Sequence, residues 1–196
     1  MKEPFLEPIL RKMRIRRVLP HIRKFPRCRL LDVGCGWEAR LLKSVEPYIE
    51  SGVGVDFKAP ELSGAKLSTI SVTLDDKLPF GDGSFDVVTL MAVLEHLEKP
   101  LSILREIRRV LKKPEAAGGG AGGGGILVGT VPSRAAKPVL EFLSYRLGIV
   151  NEAEIRDHKR YFNKRDLTEI FAEAGFGEVR HRYFQLGMNN FFAAGV

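Results

Sequence analysis

The stretch RLLDVGCG, residues 29–36, sets a carboxylate, Asp32, inside an apolar run, two residues before a pair of glycines that bracket Cys35. A charged group in such a run is costly to bury unless a cation or hydrogen-bond donor meets it. Glycine at 34 and 36 lets the backbone approach a ligand that side chains would hold off. A second short apolar run, GVGVDF, ends in Asp56, a carboxylate able to accept two hydrogen bonds from a ribose diol. A third feature, the pair Glu95–His96, directly follows the apolar run FDVVTLM (85–91). An imidazole there is suited to general-base work.

Two adenosine-bearing ligands fit this pattern. GCGWEA (34–39), with an acid about twenty residues on, matches the loose G-x-G-x-x-G/A pattern of a dinucleotide site. Asp32 favours the other candidate, S-adenosylmethionine. A pyrophosphate wants backbone amides and no extra negative charge, whereas an ammonium and a sulfonium are both drawn to a nearby carboxylate.

Strands and helices must alternate to present these groups. Residues 29–34, 52–57, 66–72, 85–91 and 126–131 read as strands, with helices expected over 37–46, 100–113, 135–147 and 164–174. The last two strands, about 177–184 and 189–195, read as a hairpin around Leu186–Gly187–Met188. The expected fold is α/β: a Rossmann-like, doubly wound, mostly parallel sheet with helices on both faces. Ligands of such sheets bind at the carboxyl ends of the strands. LPFGDGSFDVV (78–88) adds a tight turn before the fourth strand. The glycine tract of 115–125 reads as a long turn rather than a domain boundary.

Charge is concentrated at one end. Ten of the basic residues and only two acidic ones fall within residues 1–30, a local +8 in a chain of net charge +7. Residues 4–25 carry apolar side chains at helical spacing between arginines, which predicts one or two amphipathic helices broken near Pro20. The chain thus divides into a basic arm or lid, 1–27, and a main domain, 28–196. No run of 18 uncharged apolar residues and no secretory leader is visible, and Cys28 and Cys35 read as reduced thiols. A cytoplasmic location follows, with membrane association as an option through the arm.

LLDVGCG, GVGVD, LPFGDGSFDVV, AVLEHLEKP, LREIRRVLKK, ILVGTVP and FNKRDLTEIFAEAGF occur in this order, and together they resemble the class I S-adenosylmethionine-dependent methyltransferases, in their type 11, small-molecule branch. The resemblance implies seven strands, the last antiparallel. It implies that Gly34, Cys35 and Gly36 lie along the methionine part of the cofactor, with Asp32 near its amino group. Asp56 would bind the ribose hydroxyls, Phe57 the adenine face, Leu74 and Asp75 the adenine edge, and Met91 would wall the methionyl end. His96 becomes the candidate general base, Glu95 a structural neighbour, and His158 and Tyr161 border the acceptor pocket. A non-catalytic methyltransferase-like subunit and, more distantly, an NAD-binding oxidoreductase are the alternatives.

Trp37, Glu38 and Thr73 depart from the family pattern. The ubiquinone-type O-methyltransferases carry a glutamate three residues before the Glu–His pair; Ala92 stands there in this chain, so no divalent metal is expected. Nucleic acid is not expected as a partner either. MAVLEH lacks the Asp/Asn-Pro-Pro-aromatic motif used for base amino groups, and no cysteine lies near the fourth strand for carbon-5 chemistry. The expected acceptor is a small molecule, with a lipid-linked one in reach of a basic arm on an anionic membrane.

Overall fold

The computed structural model describes residues 7–74, 77–114, 123–145, 156–177 and 179–196, with side chains of 141–145 left aside. Seven strands form one sheet: β1 (Arg29–Val33), β2 (Ser51–Asp56), β3 (Leu67–Ser71), β4 (Val87–Met91), β5 (Ile126–Pro132), β6 (Val179–Phe184) and β7 (Asn189–Gly195). Their spatial order is β3-β2-β1-β4-β5-β7-β6. All neighbours from β3 to β5 pair in parallel, and β7 runs antiparallel to both β5 and β6. The expected doubly wound sheet with one reversed strand is what the chain forms. Strand order reverses between β1 and β4, the switch point at which a ligand crevice opens.

The strands read as continuous apolar runs because both faces of the sheet are covered. Leu31, Val33, Val88, Leu90 and Leu127 face one layer, where they meet Ile103, Leu104 and Ile107 of α3 (Pro100–Val110) and Leu167 and Phe171 of α5 (Lys164–Glu173). Leu30, Val87 and Val128 face the other, against Val18 and Ile22 of α1 (Glu7–Ile22) and Leu41 and Leu42 of α2 (Arg40–Val45). A short α4 (Ala136–Tyr145) follows β5. On α3 the buried positions 100, 103, 104, 107 and 110 make one helical stripe. On α5 a reciprocal cap starts the helix: the Asp166 amide donates to Asn163 Oδ1 at 2.9 Å, and the Asn163 amide donates to Asp166 Oδ2 at 2.8 Å.

Two sequence expectations need correction. The arm is one helix that runs through Pro20 rather than breaking there. Pro20 sits in the last turn, where the ring removes one hydrogen bond two residues before the helix ends, so little remains to be broken. The helix expected over 37–46 begins only at Arg40, because Gly36 and Ala39 both take left-handed backbone and spend those residues on a loop. Residues 1–6 of the arm, Asp75 and most of the glycine tract lie outside the described residues.

The acidic residues of LPFGDGSFDVV hold the opposite end of the sheet. The Arg109 guanidinium donates to the carbonyls of Phe80 (2.8 Å) and Leu78 (3.2 Å) and to Asp82 (2.7 Å), strapping the turn to α3. Asp86 accepts from the Arg29 amide at 2.8 Å and pairs with Lys112 at 2.6 Å. Both contacts fix where β1 and β4 begin, and so where their far ends open.

Phe171 is fully buried, with ring centroids 5.1 Å from Phe192 and 5.4 Å from Phe176. It joins α5 to the sheet. Phe171→Ala is expected to cost about 3–5 kcal/mol, read as a lowered urea midpoint with an unchanged m-value; a loss under 1 kcal/mol would show that α5 docks by other contacts.

Candidate functional site

At the carboxyl end of β1 the chain turns sharply. The amides of Gly34 and Cys35 donate to the Val55 carbonyl at 2.8 and 3.2 Å, and Gly34 and Gly36 have φ of +77° and +65°. Gly34 has no room for a side chain: a Cβ there would lie 2.2 Å from a Val93 methyl. Gly36 is different. Nothing lies within 4 Å of where its Cβ would be, so its backbone borders open space. Asp56, at the end of β2, accepts from the Gly36 amide (3.0 Å) and from its own loop at Lys58 (2.8 Å). The carboxylate thereby fixes the loop and stands beside it.

Asp32 is buried, and its Oδ1 accepts the Thr89 hydroxyl at 2.7 Å across β1 and β4. Burial pushes its carboxyl up to about 7 and the charge of Asp56 adds to this, while only the Thr89 hydrogen bond works the other way. No cation contributes. A buried carboxylate in that condition is suited to a ligand cation. Cys35 packs its sulfur over Gly54 of β2. Burial, then the charges of Asp32 and Asp56, push its thiol up to about 12, so it offers its backbone rather than a thiolate. Phe57 is 63% exposed with Lys58 Nζ 4.7 Å from its ring centroid, while Leu74 and Met91 are half-buried against the core. Both ends of an adenosine-length ligand would find apolar surface on this side. Asp75 lies outside the described residues.

Beyond β4, Ala92 takes left-handed backbone (φ +55°), which throws the chain across the top of the sheet. Glu95, His96, His158 and Tyr161 come together there. The segment carrying His158 is held to the 95–98 loop by the Lys159 amide on the Glu95 carbonyl (2.9 Å), by Arg160 on the Leu97 carbonyl (3.1 Å) and by a Lys159–Glu98 ion pair. His96 Nδ1 meets Asp157 at 2.9 Å, and His158 Nδ1 meets the Tyr161 hydroxyl at 3.0 Å. The two imidazoles pack edge to face, 4.8 Å between centroids. Burial, then the neighbouring His96, push His158 down to about 4; burial pushes Glu95 up to about 7.

Three functional neighbours escape a sequence reading. Thr89 looks like one more residue of a β-branched strand. Asp157 lies 61 residues from the histidine it holds. Arg14 belongs to the basic arm, but its Nε is buried, its Nη2 pairs with Glu7 at 2.5 Å, and its charge reaches Glu95. Arg14 thus turns inward from α1 rather than out to solvent. The position of α1 is tied down where Gln185, on the β6–β7 turn, donates to the Leu10 carbonyl at 3.1 Å.

The raised Asp32 carboxyl has a consequence for stability. The folded state binds a proton that the unfolded chain, with an ordinary value of 3.8, releases earlier, so stability falls as pH rises from about 4 to about 7 and is then level. Asp32→Asn keeps an acceptor for Thr89 and removes the titration. Its melting temperature relative to the parent should climb between pH 4.5 and 7.5; a constant difference would mean that Asp32 ionises as freely in the folded protein as in the unfolded.

The comparisons with known proteins follow this geometry. A methyltransferase-domain family model matches residues 31–114, the span from β1 through α3. Demethylmenaquinone methyltransferase of Staphylococcus aureus is 30% identical over 183 residues, covering 81% of this chain and 71% of that one. The ubiquinone biosynthesis O-methyltransferase of Vibrio parahaemolyticus is 33% identical over 93 residues, 43% of this chain, and the match spans only 39% of that relative's length. Among solved structures, a chain of the Haloferax volcanii complex between a methyltransferase activator and a methyltransferase superposes with a TM-score of 0.68 at 17% identity, over 100% of this chain and 99% of that one, which speaks for the fold alone. With the switch-point loop, the reversed last strand and a relative aligned over most of both chains, this protein belongs to the class I S-adenosylmethionine-dependent methyltransferases.

Proposed function

We propose that S-adenosylmethionine lies along the Gly34–Gly36 loop, and that the methyl acceptor is a hydroxylated, lipid-linked aromatic molecule entering between α1 and the 92–98 loop. The observation that carries the first part is the open space in front of Gly36, flanked by the carboxylates of Asp32 and Asp56. Asp32, buried and without a cation, suits the ligand's ammonium; Asp56 suits its ribose diol; Phe57 and Leu74 suit its adenine. A pyrophosphate would meet two carboxylates here instead, which argues against a dinucleotide.

S-adenosylmethionine supplies a methyl group on a sulfonium, already activated toward in-line displacement. What remains for the protein is orientation, which can supply roughly 7–11 kcal/mol of the barrier, and removal of the acceptor's proton. For that removal His96 is the candidate base. Asp157 on Nδ1 leaves Nε2 as the basic atom and steadies the imidazolium that forms. His158 and Tyr161 line the same side, and Arg14 closes it from α1.

The lipid-linked acceptor rests on two supports. The similar proteins of Staphylococcus and Vibrio are named for demethylmenaquinone and for ubiquinone biosynthesis. The outer face of α1 suits a membrane surface: Ile9 and Met13 are exposed beside exposed Lys12 and Arg16, and the adjoining β6–β7 turn presents Leu186, 99% exposed. Apolar tips among cations are what an anionic lipid surface binds. Among the described residues no helix is long and apolar enough to cross a membrane, so such contact would be peripheral.

S-adenosylhomocysteine at about a hundred times its dissociation constant should stabilise the protein by about 2.7 kcal/mol, a rise of roughly 5–10 °C in melting temperature for a chain of this size. Asp56→Ala should abolish the shift and Asp56→Asn should weaken it; no shift in the parent would remove the cofactor site from this loop. Transfer of labelled methyl to hydroxylated prenylquinols, with His96→Gln lowering kcat more than it raises KM, tests the acceptor and the base together. Vesicles of phosphatidylglycerol should sediment the parent, and the double variant Lys12→Glu, Leu186→Asp should stay in the supernatant. Equal sedimentation would take α1 off the membrane.

A further inference from the structure

The absence of a glutamate at Ala92 argues against a metal only if the ligands must come from one stretch of chain. The fold supplies another source. Glu95, His96 and His158 each present a ligand atom within 4.8 Å of the other two, from segments more than sixty residues apart. Glu95 is 1% exposed, and neither of its carboxylate oxygens has a hydrogen-bond partner among the described residues. An unmet buried carboxylate is expensive. Its position facing two imidazoles means that whatever meets it is shared with them.

The imidazoles are oriented for the purpose. Nδ1 of His96 is engaged by Asp157 at 2.9 Å, and Nδ1 of His158 by the Tyr161 hydroxyl at 3.0 Å. With each Nδ1 donating its proton to that partner, Nε2 is left with the lone pair, the arrangement by which a second partner fixes the tautomer of a metal-binding histidine. The Lys159 and Arg160 bonds to the 95–98 loop hold the two segments together regardless of what lies between them. We infer that Glu95, His96 and His158 form a binding site for one divalent first-row transition ion.

Two nitrogens and one carboxylate suit zinc, manganese, iron or cobalt rather than magnesium or calcium, which take all-oxygen shells. Ligands on a tetrahedral ion with bonds of about 2.0–2.2 Å stand roughly 3.3–3.6 Å apart. Closing from 4.8 Å to that spacing therefore asks the ligand atoms to approach by about an ångström. Three protein ligands leave a coordination position open. A hydroxyl of the acceptor placed there would release its proton to bulk water at a lower pH than it does in solution. It would then form its new bond to the methyl carbon as the carbon–sulfur bond breaks, with that electron pair passing to sulfur. His96 cannot be both a ligand and a free base, so the ion would replace it in that role. Only this catalytic use rests on the methyltransferase reading; binding of the ion does not. Arg14, whose charge also reaches Glu95, is the competing occupant.

The test uses full-length protein stripped with chelator, then titrated with Zn²⁺ by calorimetry and with Co²⁺ by visible absorption. One ion per chain is expected. Cobalt should give the visible bands of a nitrogen–oxygen site without the near-ultraviolet absorption that Cys28 or Cys35 would add. His158→Gln and Glu95→Gln should each weaken binding about tenfold or more, while His181→Gln, remote from the site, should not. The S-adenosylhomocysteine shift should survive in all three, which separates loss of the ion from loss of the fold or of the cofactor site. Unchanged affinity in both ligand variants, or no stoichiometric binding in the parent, would overturn the site and leave Glu95 to Arg14. Metal binding without any S-adenosylhomocysteine shift would retain the ion and discard the cofactor reading alone.

Discussion

Gly34 and Val93 occupy space that cannot be shared. A side chain at Gly34 would overlap the Val93 methyls, so the loop after β1 and the loop after β4 are seated against each other at the point where the strand order reverses. That contact needs β1 and β4 in register, which the Thr89–Asp32 hydrogen bond and the Asp86 contacts to Arg29 and Lys112 enforce along the two strands. The consequence is positional. Asp32, Asp56 and Gly36 belong to the β1 and β2 ends, and Glu95 and His96 to the loop that carries Val93. The two loops are thereby brought to adjacent positions by packing alone.

The second half of the site is assembled less rigidly. His158 comes from a segment between α4 and α5 that is tied to the 95–98 loop by the Lys159 amide, the Arg160 guanidinium and one ion pair, with Phe162 as its anchor in the core. α1 covers the remaining side, with Val18 and Ile22 in the core and its first turns resting on the β6–β7 turn. Elements attached in this way open at lower cost than the sheet does.

The sheet and the loop around Gly34 could be read in the sequence because their signals are local. An unbroken apolar run means a strand covered on both faces, and an aspartate inside such a run declares itself. The acceptor side could not be read in the same way. Arg14 looks like any cation of a basic arm until α1 is seen to turn it inward. Asp82 and Asp86 sit in a stretch legible only as a turn, and the structure shows them tying down the far end of the sheet. Pro20 suggested a break, but a proline in a last turn has little helix left to disrupt. Ala92 removes the glutamate that a one-segment motif would supply, and spacing along that segment says nothing of His158, which only the fold brings beside Glu95 and His96.

Two carboxylates, Asp32 and Glu95, lie buried, and burial raises both to about 7. In a chain whose net charge is +7 it would have been simple to pair each with an arginine. Neither is fully met: Asp32 has a hydroxyl, and Glu95 feels Arg14 only at a distance. Buried charge without a partner is destabilising unless a cation arrives, so the cost is carried by the empty protein and recovered on binding. For Asp32 the proposed cation is the ammonium of S-adenosylmethionine. On the acceptor side the same reasoning requires a cation as well, either the guanidinium of α1 or an ion held between two imidazoles.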